Sequence, residues 1–244
     1  MPLAICSRAE GAYEAAADAL QHLRVINPND PEANSLRGEI ANLYFQRGNT
    51  HLGESRFESA ILDFRSAVAL APDFKEAYCN LGNALLDLRS IEEAIDCHQK
   101  AVAIDGNYVD AHYNLGCALK IAGQWHEAIE SFTRAITLDK SYANAYCARG
   151  NTHLELAEWE AAIENYLRAI ELNPKFEFLL GTFLLTKLKI CQWQGLDALI
   201  NAAREGISQG ANASPPFAML AVLDSARLQK DCSAIWAKAK HPVV

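Results

Sequence analysis

No stretch of this 244-residue sequence is both long and apolar enough to cross a bilayer. The most apolar segment, 176–193, is interrupted by Glu177, Lys187 and Lys189. The N-terminus, MPLAICSRAEG, has no basic segment followed by a long apolar run, so no signal peptide is expected. Paired cysteines are missing as well. The seven, Cys6, Cys79, Cys97, Cys117, Cys147, Cys191 and Cys232, stand singly and without metal-ligand spacing. They read as reduced thiols, and a cytoplasmic location is expected. There is no basic excess either, since the formal net charge is −8. Residues 1–176 hold 15 Lys/Arg against 25 Asp/Glu, and residues 177–244 hold 7 against 5. That distribution disfavours nucleic acid as a partner. Gly-rich and low-complexity tracts are absent and 50% of residues are apolar, so the whole chain is expected to fold.

Recognisable chemistry is equally scarce. No Ser/His/Asp or Cys/His arrangement rises above chance, so no catalytic residue, metal or cofactor is expected. Glu92-Glu93, Glu127 with Glu130, and Glu158 with Glu160 read as solvated carboxylates rather than a general acid/base pair. His51 and His153 recur at the same place in two repeats and read as partly buried packing residues. His112 and His126 are fourteen apart with no third ligand suggested. Asn212-Ala213-Ser214 matches a glycosylation sequon that is irrelevant without a secretory signal.

What the sequence does contain is a repeat. Residues 41–176 divide into blocks of 34, namely 41–74, 75–108, 109–142 and 143–176. Position 8 is always glycine (Gly48, Gly82, Gly116, Gly150), and position 20 is always alanine (Ala60, Ala94, Ala128, Ala162). Position 27 is alanine again (Ala67, Ala101, Ala135, Ala169). Each block holds two helical patterns joined by a polar turn. In the third block the stripes are Ala111, Leu115, Ala118 and Leu119, then Ala128, Ile129, Phe132, Ala135 and Ile136. Small residues at positions 8 and 20 let antiparallel helices approach closely. Bulky residues at position 17 (Phe57, Ile91, Trp125, Trp159) and rings at position 24 (Phe64, His98, Phe132, Tyr166) fill the space between them. Pro72, Gly106 and Pro174 are expected to stop the second helices near position 32.

This period with small residues at 8, 20 and 27 resembles the tetratricopeptide repeat. The resemblance implies an all-α fold, a right-handed superhelical array of antiparallel helix pairs whose concave face is lined mainly by the first helices. Residues 1–40 read as a degenerate N-terminal cap, with Ala16, Leu20 and Leu23 standing in a helix like the second half of a repeat. Pro28 and Pro72 are 44 apart, ten more than the period. The additional residues either lengthen the next helix or form a separate turn. Residues 177–244 read as an irregular helical C-terminal cap. A wide apolar helix (Phe178, Leu179, Phe183, Leu184, Leu188, Ile190) is followed by a short helix over 196–207, a loop, and a last helix over 225–238. The apolar helix either seals the array or faces another domain.

The tail carries a second resemblance. Cys191-Gln192-Trp193, the segment Ser214-Pro215-Pro216-Phe217-Ala218-Met219-Leu220 and the closing IWAKAKHP look like the region ahead of the catalytic lobes in SPINDLY-like relatives of O-linked N-acetylglucosamine transferase. The first helices AYCNLG and AHYNLG resemble that family as well. The resemblance implies a substrate-recognition array that associates with a glycosyltransferase catalytic domain, or a component of the active transferase. The catalytic lobes themselves, with their strand–helix alternation and Gly-rich diphosphate turn, are not in this sequence. In the resembled family an asparagine at position 6 forms a ladder that holds a peptide backbone. Here Asn80 and Asn114 occupy that position, while Gln46 and Ala148 interrupt the ladder. Asn49, Asn83 and Asn151 at position 9 lie about one turn further along the same face, with Cys117 as the exception. A side-chain amide donates and accepts at once, which suits an extended chain of any sequence. The expected partner is therefore a protein or peptide. A clamp for a C-terminal carboxylate would need lysine at position 5, where Phe45, Cys79, Tyr113 and Cys147 stand instead.

Overall fold

The computed structural model describes residues 31–174, 179–209 and 226–240, and the N-terminal helix expected over 9–26 lies outside them. The described residues form eleven α-helices and no strand, the all-α architecture the repeat implies. These are α1 (Pro31–Gly53), α2 (Phe57–Leu70), α3 (Lys75–Asp87), α4 (Ile91–Ile104), α5 (Val109–Ile121), α6 (Trp125–Leu138), α7 (Ala143–Glu155), α8 (Trp159–Leu172), α9 (Leu179–Lys189), α10 (Leu196–Ser208) and α11 (Ala226–Lys240). The chain divides into two units, Met1–Ala122 and Gly123–Val244. In the first, consecutive helices pack on one another, and the first helices α1, α3 and α5 also touch in sequence. In the second, each of α6 to α10 packs on the next described helix.

The ten residues beyond the period lengthen the first helix, since α1 runs 23 residues from Pro31. Every second helix starts at the bulky residue of position 17 and hides the alanines of positions 20 and 27, all fully buried. The glycine of position 8 has a narrower reason than close backbone approach. A Cβ added at Gly48 would lie 2.6 Å from the Phe64 ring, at Gly82 2.6 Å from the His98 ring, and at Gly150 2.7 Å from the Tyr166 ring. The first helix is thus notched for the ring at position 24 of its partner.

The turn between paired helices has a constant conformation. Position 15 is left-handed in all four repeats, at Ser55 (φ 57°), Arg89 (63°), Gly123 (77°) and Ala157 (56°). The following amide bonds back five residues: Arg56 N–H to His51 O at 2.8 Å, Ser90 N–H to Leu85 O at 2.9 Å, Glu158 N–H to His153 O at 2.9 Å. This is the Schellman arrangement, which satisfies carbonyls at the helix end.

The second helices end close to where the sequence places their stops. They stop at position 30 in every repeat, at Leu70, Ile104, Leu138 and Leu172, before Pro72, Gly106 or Pro174 is reached. The third repeat stops there with neither proline nor glycine following, because Asp139 turns its carboxylate onto the Ser141 N–H at 2.8 Å. Asp105 does the same to the Asn107 N–H at 2.9 Å. Such a local side-chain turn competes with the helix for the backbone.

Past the repeats, the wide apolar surface of α9 is covered within the chain. Leu179 and Phe183 join Ile163 and Tyr166 of α8, with Phe183 and Tyr166 rings 6.4 Å apart. Leu184 packs with Ala203 and Ile207 of α10 and Cys232 of α11. The segment Ser214–Leu220 lies outside the described residues.

Candidate functional site

The five asparagines sit on first helices, and all are half-buried. In the first unit they link one helix to the next. Asn80 Nδ2 on α3 donates to Asn49 Oδ1 on α1 at 2.7 Å, and Asn114 Nδ2 on α5 donates to Cys79 Sγ on α3 at 3.3 Å. The spacing of position 6 and position 9 therefore becomes a set of rungs across α1, α3 and α5. Asn83 makes no hydrogen bond among the described residues, and neither Asn80 Oδ1 nor Asn114 Oδ1 accepts one. In the second unit Asn151 turns inward, accepting from the Tyr166 hydroxyl at 2.7 Å and approaching Cys147 Sγ at 3.8 Å. The amides are thus partly spent on holding helices together, with oxygens and one whole amide left over in the first unit.

Residues beneath this face are shielded rather than reactive. Cys79 is buried, its thiol pushed up chiefly by desolvation, and Cys97 is pushed up to about 11 by the same cause. A thiol held protonated is a poor nucleophile. His98 is fully buried, with Nδ1 3.9 Å from Cys79 Sγ and Nε2 without a partner, and desolvation pushes its pKa down to about 4. It occupies the ring position that Phe64, Phe132 and Tyr166 fill elsewhere. At position 5, Phe45 packs 4.8 Å from Phe74 and 5.9 Å from Phe64, so hydrophobic packing stands where a carboxylate clamp would need an ammonium.

Three of the other described histidines are held by local partners. His51 Nε2 lies 3.5 Å from Asp63, His153 Nδ1 2.6 Å from Glu158, and His112 Nε2 3.1 Å from Gly106 O, while His126 is exposed. No group of three or more His, Cys, Asp or Glu residues could hold a metal ion among the described residues. Glu92, Glu93, Glu127, Glu130, Glu158 and Glu160 all face solvent. No helix among the described residues is long and apolar enough to cross a membrane.

Sequence reasoning missed one pairing because it joins positions 7 and 23 in only two repeats. Arg47 of α1 meets Asp63 of α2, with Nε to Oδ2 at 2.8 Å, and Arg149 of α7 meets Asn165 of α8, with Nε to Oδ1 at 2.8 Å. The other two repeats have Leu81 and Leu115 at position 7.

Family models described as tetratricopeptide repeat match residues 41–74, 76–108, 99–130 and 143–176, and one described as TPR repeat matches 116–156. Together they span more than half the chain. No curated protein matches. Among solved structures, a crystal structure of MamA is 25% identical, covering 66% of this chain and 95% of its own, with a TM-score of 0.62. PilF of Pseudomonas aeruginosa is 19% identical over 85% of this chain and 95% of its own, with a TM-score of 0.67. YrrB, described as a TPR protein with an unusual peptide-binding site, is 18% identical over 91% and 99%, with a TM-score of 0.59.

Proposed function

The chain belongs to the tetratricopeptide-repeat family, and from that premise we propose that the face shared by α1, α3 and α5 binds an extended segment of a partner protein. The observation that carries this reading is the run of half-buried amides across α1, α3 and α5. Asn49, Asn80, Asn83 and Asn114 contribute there, and several of their oxygens and donors are not used internally. An extended peptide presents alternating N–H and C=O groups, and an amide answers either one. YrrB, with the same fold, supplies a precedent for peptide binding. Asn151, on α7 of the second unit, is not counted in this face, its amide oxygen being taken by the Tyr166 hydroxyl. The partner is a protein, and a reducing, cytosolic-type compartment suits the six described cysteines, all free thiols.

The test is selection of binders from a random peptide library on the full chain, followed by titration of one binder against the double variant Asn80→Ala with Asn114→Ala. Each lost hydrogen bond is worth about 0.5–1.5 kcal/mol, so affinity should fall roughly ten- to hundredfold with helicity unchanged. Unchanged affinity in calorimetry rejects the reading.

The narrower reading, a recognition region or component of a protein O-linked N-acetylglucosaminyltransferase, rests on the tail sequence around Cys191–Trp193 and IWAKAKHP. The matching family models and solved structures are those of repeat proteins and add nothing to it. Co-purification of the chain with a UDP-N-acetylglucosamine-dependent transferase activity supports it, and its absence under conditions that retain a peptide partner counts against it.

A further inference from the structure

Two arginines occupy equivalent places in the repeat with different company. Arg47 faces a buried carboxylate, donating Nε to Asp63 Oδ2 at 2.8 Å and Nη2 to Asp63 Oδ1. Arg149 faces an amide. Its Nε donates to Asn165 Oδ1 at 2.8 Å and its Nη1 to Thr133 Oγ1 at 2.9 Å. Asn165 is 6% exposed and commits its own amide N–H to Ala161 O at 2.8 Å. The two sites differ by one negative charge.

The space beside Arg149 is open. A cavity of about 480 Å³ is bounded by Tyr146, Arg149, Glu164, Asn165, Arg168 and Glu171. Of its two carboxylates, Glu171 is already paired with Arg168 at 2.8 Å. Glu164 is exposed and acts on Arg149 only through space, an interaction that salt screens. Arg149 Nη2 makes no hydrogen bond among the described residues. Desolvation lowers the pKa of this guanidinium, as expected of a half-buried cation without a matched counter-charge.

We propose that the cavity between α7 and α8 receives a carboxylate side chain, Asp or Glu, of a partner protein, seated on Arg149 as Asp63 is seated on Arg47. A charge-assisted bond from a guanidinium to a carboxylate is the strongest class of hydrogen bond available at a protein surface. Arg149 and Asn151 are two residues apart on α7, which directs them to roughly opposite sides of the helix. The carboxylate site is therefore separate from the asparagine face and does not rest on the peptide reading.

The experiment uses the full chain and a fluorescein-labelled hexaglutamate peptide, with hexaglutamine as comparison, followed by anisotropy at physiological ionic strength, where the exposed Glu164 is screened. Hexaglutamate should bind at least tenfold more tightly than hexaglutamine, whose backbone is the same and whose side chains lack the carboxylate. Arg149→Gln should weaken binding at least tenfold. Asn165→Asp, which reproduces the Asp63 arrangement, should weaken it as much while raising the thermal midpoint, so that lost binding cannot be blamed on misfolding. Arg65→Gln, an equal charge change at an exposed arginine in the other unit, should leave binding unchanged. The proposal is overturned if Asn165→Asp binds like the wild type or lowers the midpoint. It also falls if Arg65→Gln weakens binding as much as Arg149→Gln, or if hexaglutamine binds equally.

Discussion

Replacing His98 with phenylalanine should stabilise the protein and remove the part of its sensitivity to mild acid that this buried ring contributes. His98 is fully buried against Gly82, its Nε2 has no partner, and three sister repeats place Phe64, Phe132 or Tyr166 at the same position. Phe64 already lies as close to Gly48 as His98 does to Gly82, so a phenylalanine fits the notch. A buried polar atom without a partner costs about 1–3 kcal/mol, and His98→Phe should recover much of that. The acid effect follows from desolvation, which pushes the pKa of His98 from 6.5 in the unfolded chain to about 4 in the folded one. Above pH 6.5 the ring is neutral in both states and contributes no pH dependence. As pH falls below 6.5 the unfolded chain takes up a proton that the folded chain refuses, so stability drops until it levels off below about 4. The full loss is about 3 kcal/mol at about 1.4 kcal/mol per pH unit, and about 2 kcal/mol of it falls between pH 7.5 and 5. Urea titrations of wild type and His98→Phe at those two pH values measure it, with the difference between the proteins cancelling the other titrating groups. A difference that does not grow on acidification, or a less stable His98→Phe at both pH values, refutes the reasoning.

Three further outcomes follow from the repeat geometry. Gly150→Ala places a methyl 2.7 Å from the Tyr166 ring and should cost roughly 1–3 kcal/mol, read as a lower urea midpoint. Ala128→Leu, at a fully buried alanine of α6, should cost about the same, and an unchanged thermal midpoint contradicts the repeat register. Ala157→Gly should instead stabilise by about 1 kcal/mol, because φ of 56° is unfavourable for any residue with a Cβ and free for glycine; a lower midpoint would show that the turn is not strained.

The helix pairs were legible because close packing leaves a mark on composition. Glycine at position 8 and alanine at positions 20 and 27 are forced by ring and backbone contacts, so they recur whatever the surface does. The left-handed turn at position 15 left no such mark, since serine, arginine and alanine endure it at Ser55, Arg89 and Ala157 and only Gly123 advertises it. The helix ends at Leu70 and Leu172 were legible from Pro72 and Pro174, whereas the carboxylate turns onto a nearby amide at Asp105 and Asp139 use residues that are common everywhere and left no such mark. The asparagines of the candidate face could be placed on first helices by periodicity. Their internal bonds, Asn80 to Asn49 and Asn151 to Tyr166, depend on distances between helices that no spacing reveals. Arg149 was invisible for a related reason, since its meaning lies in the contrast between Asn165 and Asp63.

The central claim is that the asparagine face contacts a bound peptide backbone, and nuclear magnetic resonance of the side-chain amides tests it most directly. On titration with a peptide selected from a random library, the Asn80, Asn83 and Asn114 amide signals should shift saturably, and the Asn49 signal should follow as its partner Asn80 is engaged. Saturable binding that leaves all of these signals in place, while shifting residues elsewhere, would contradict the account.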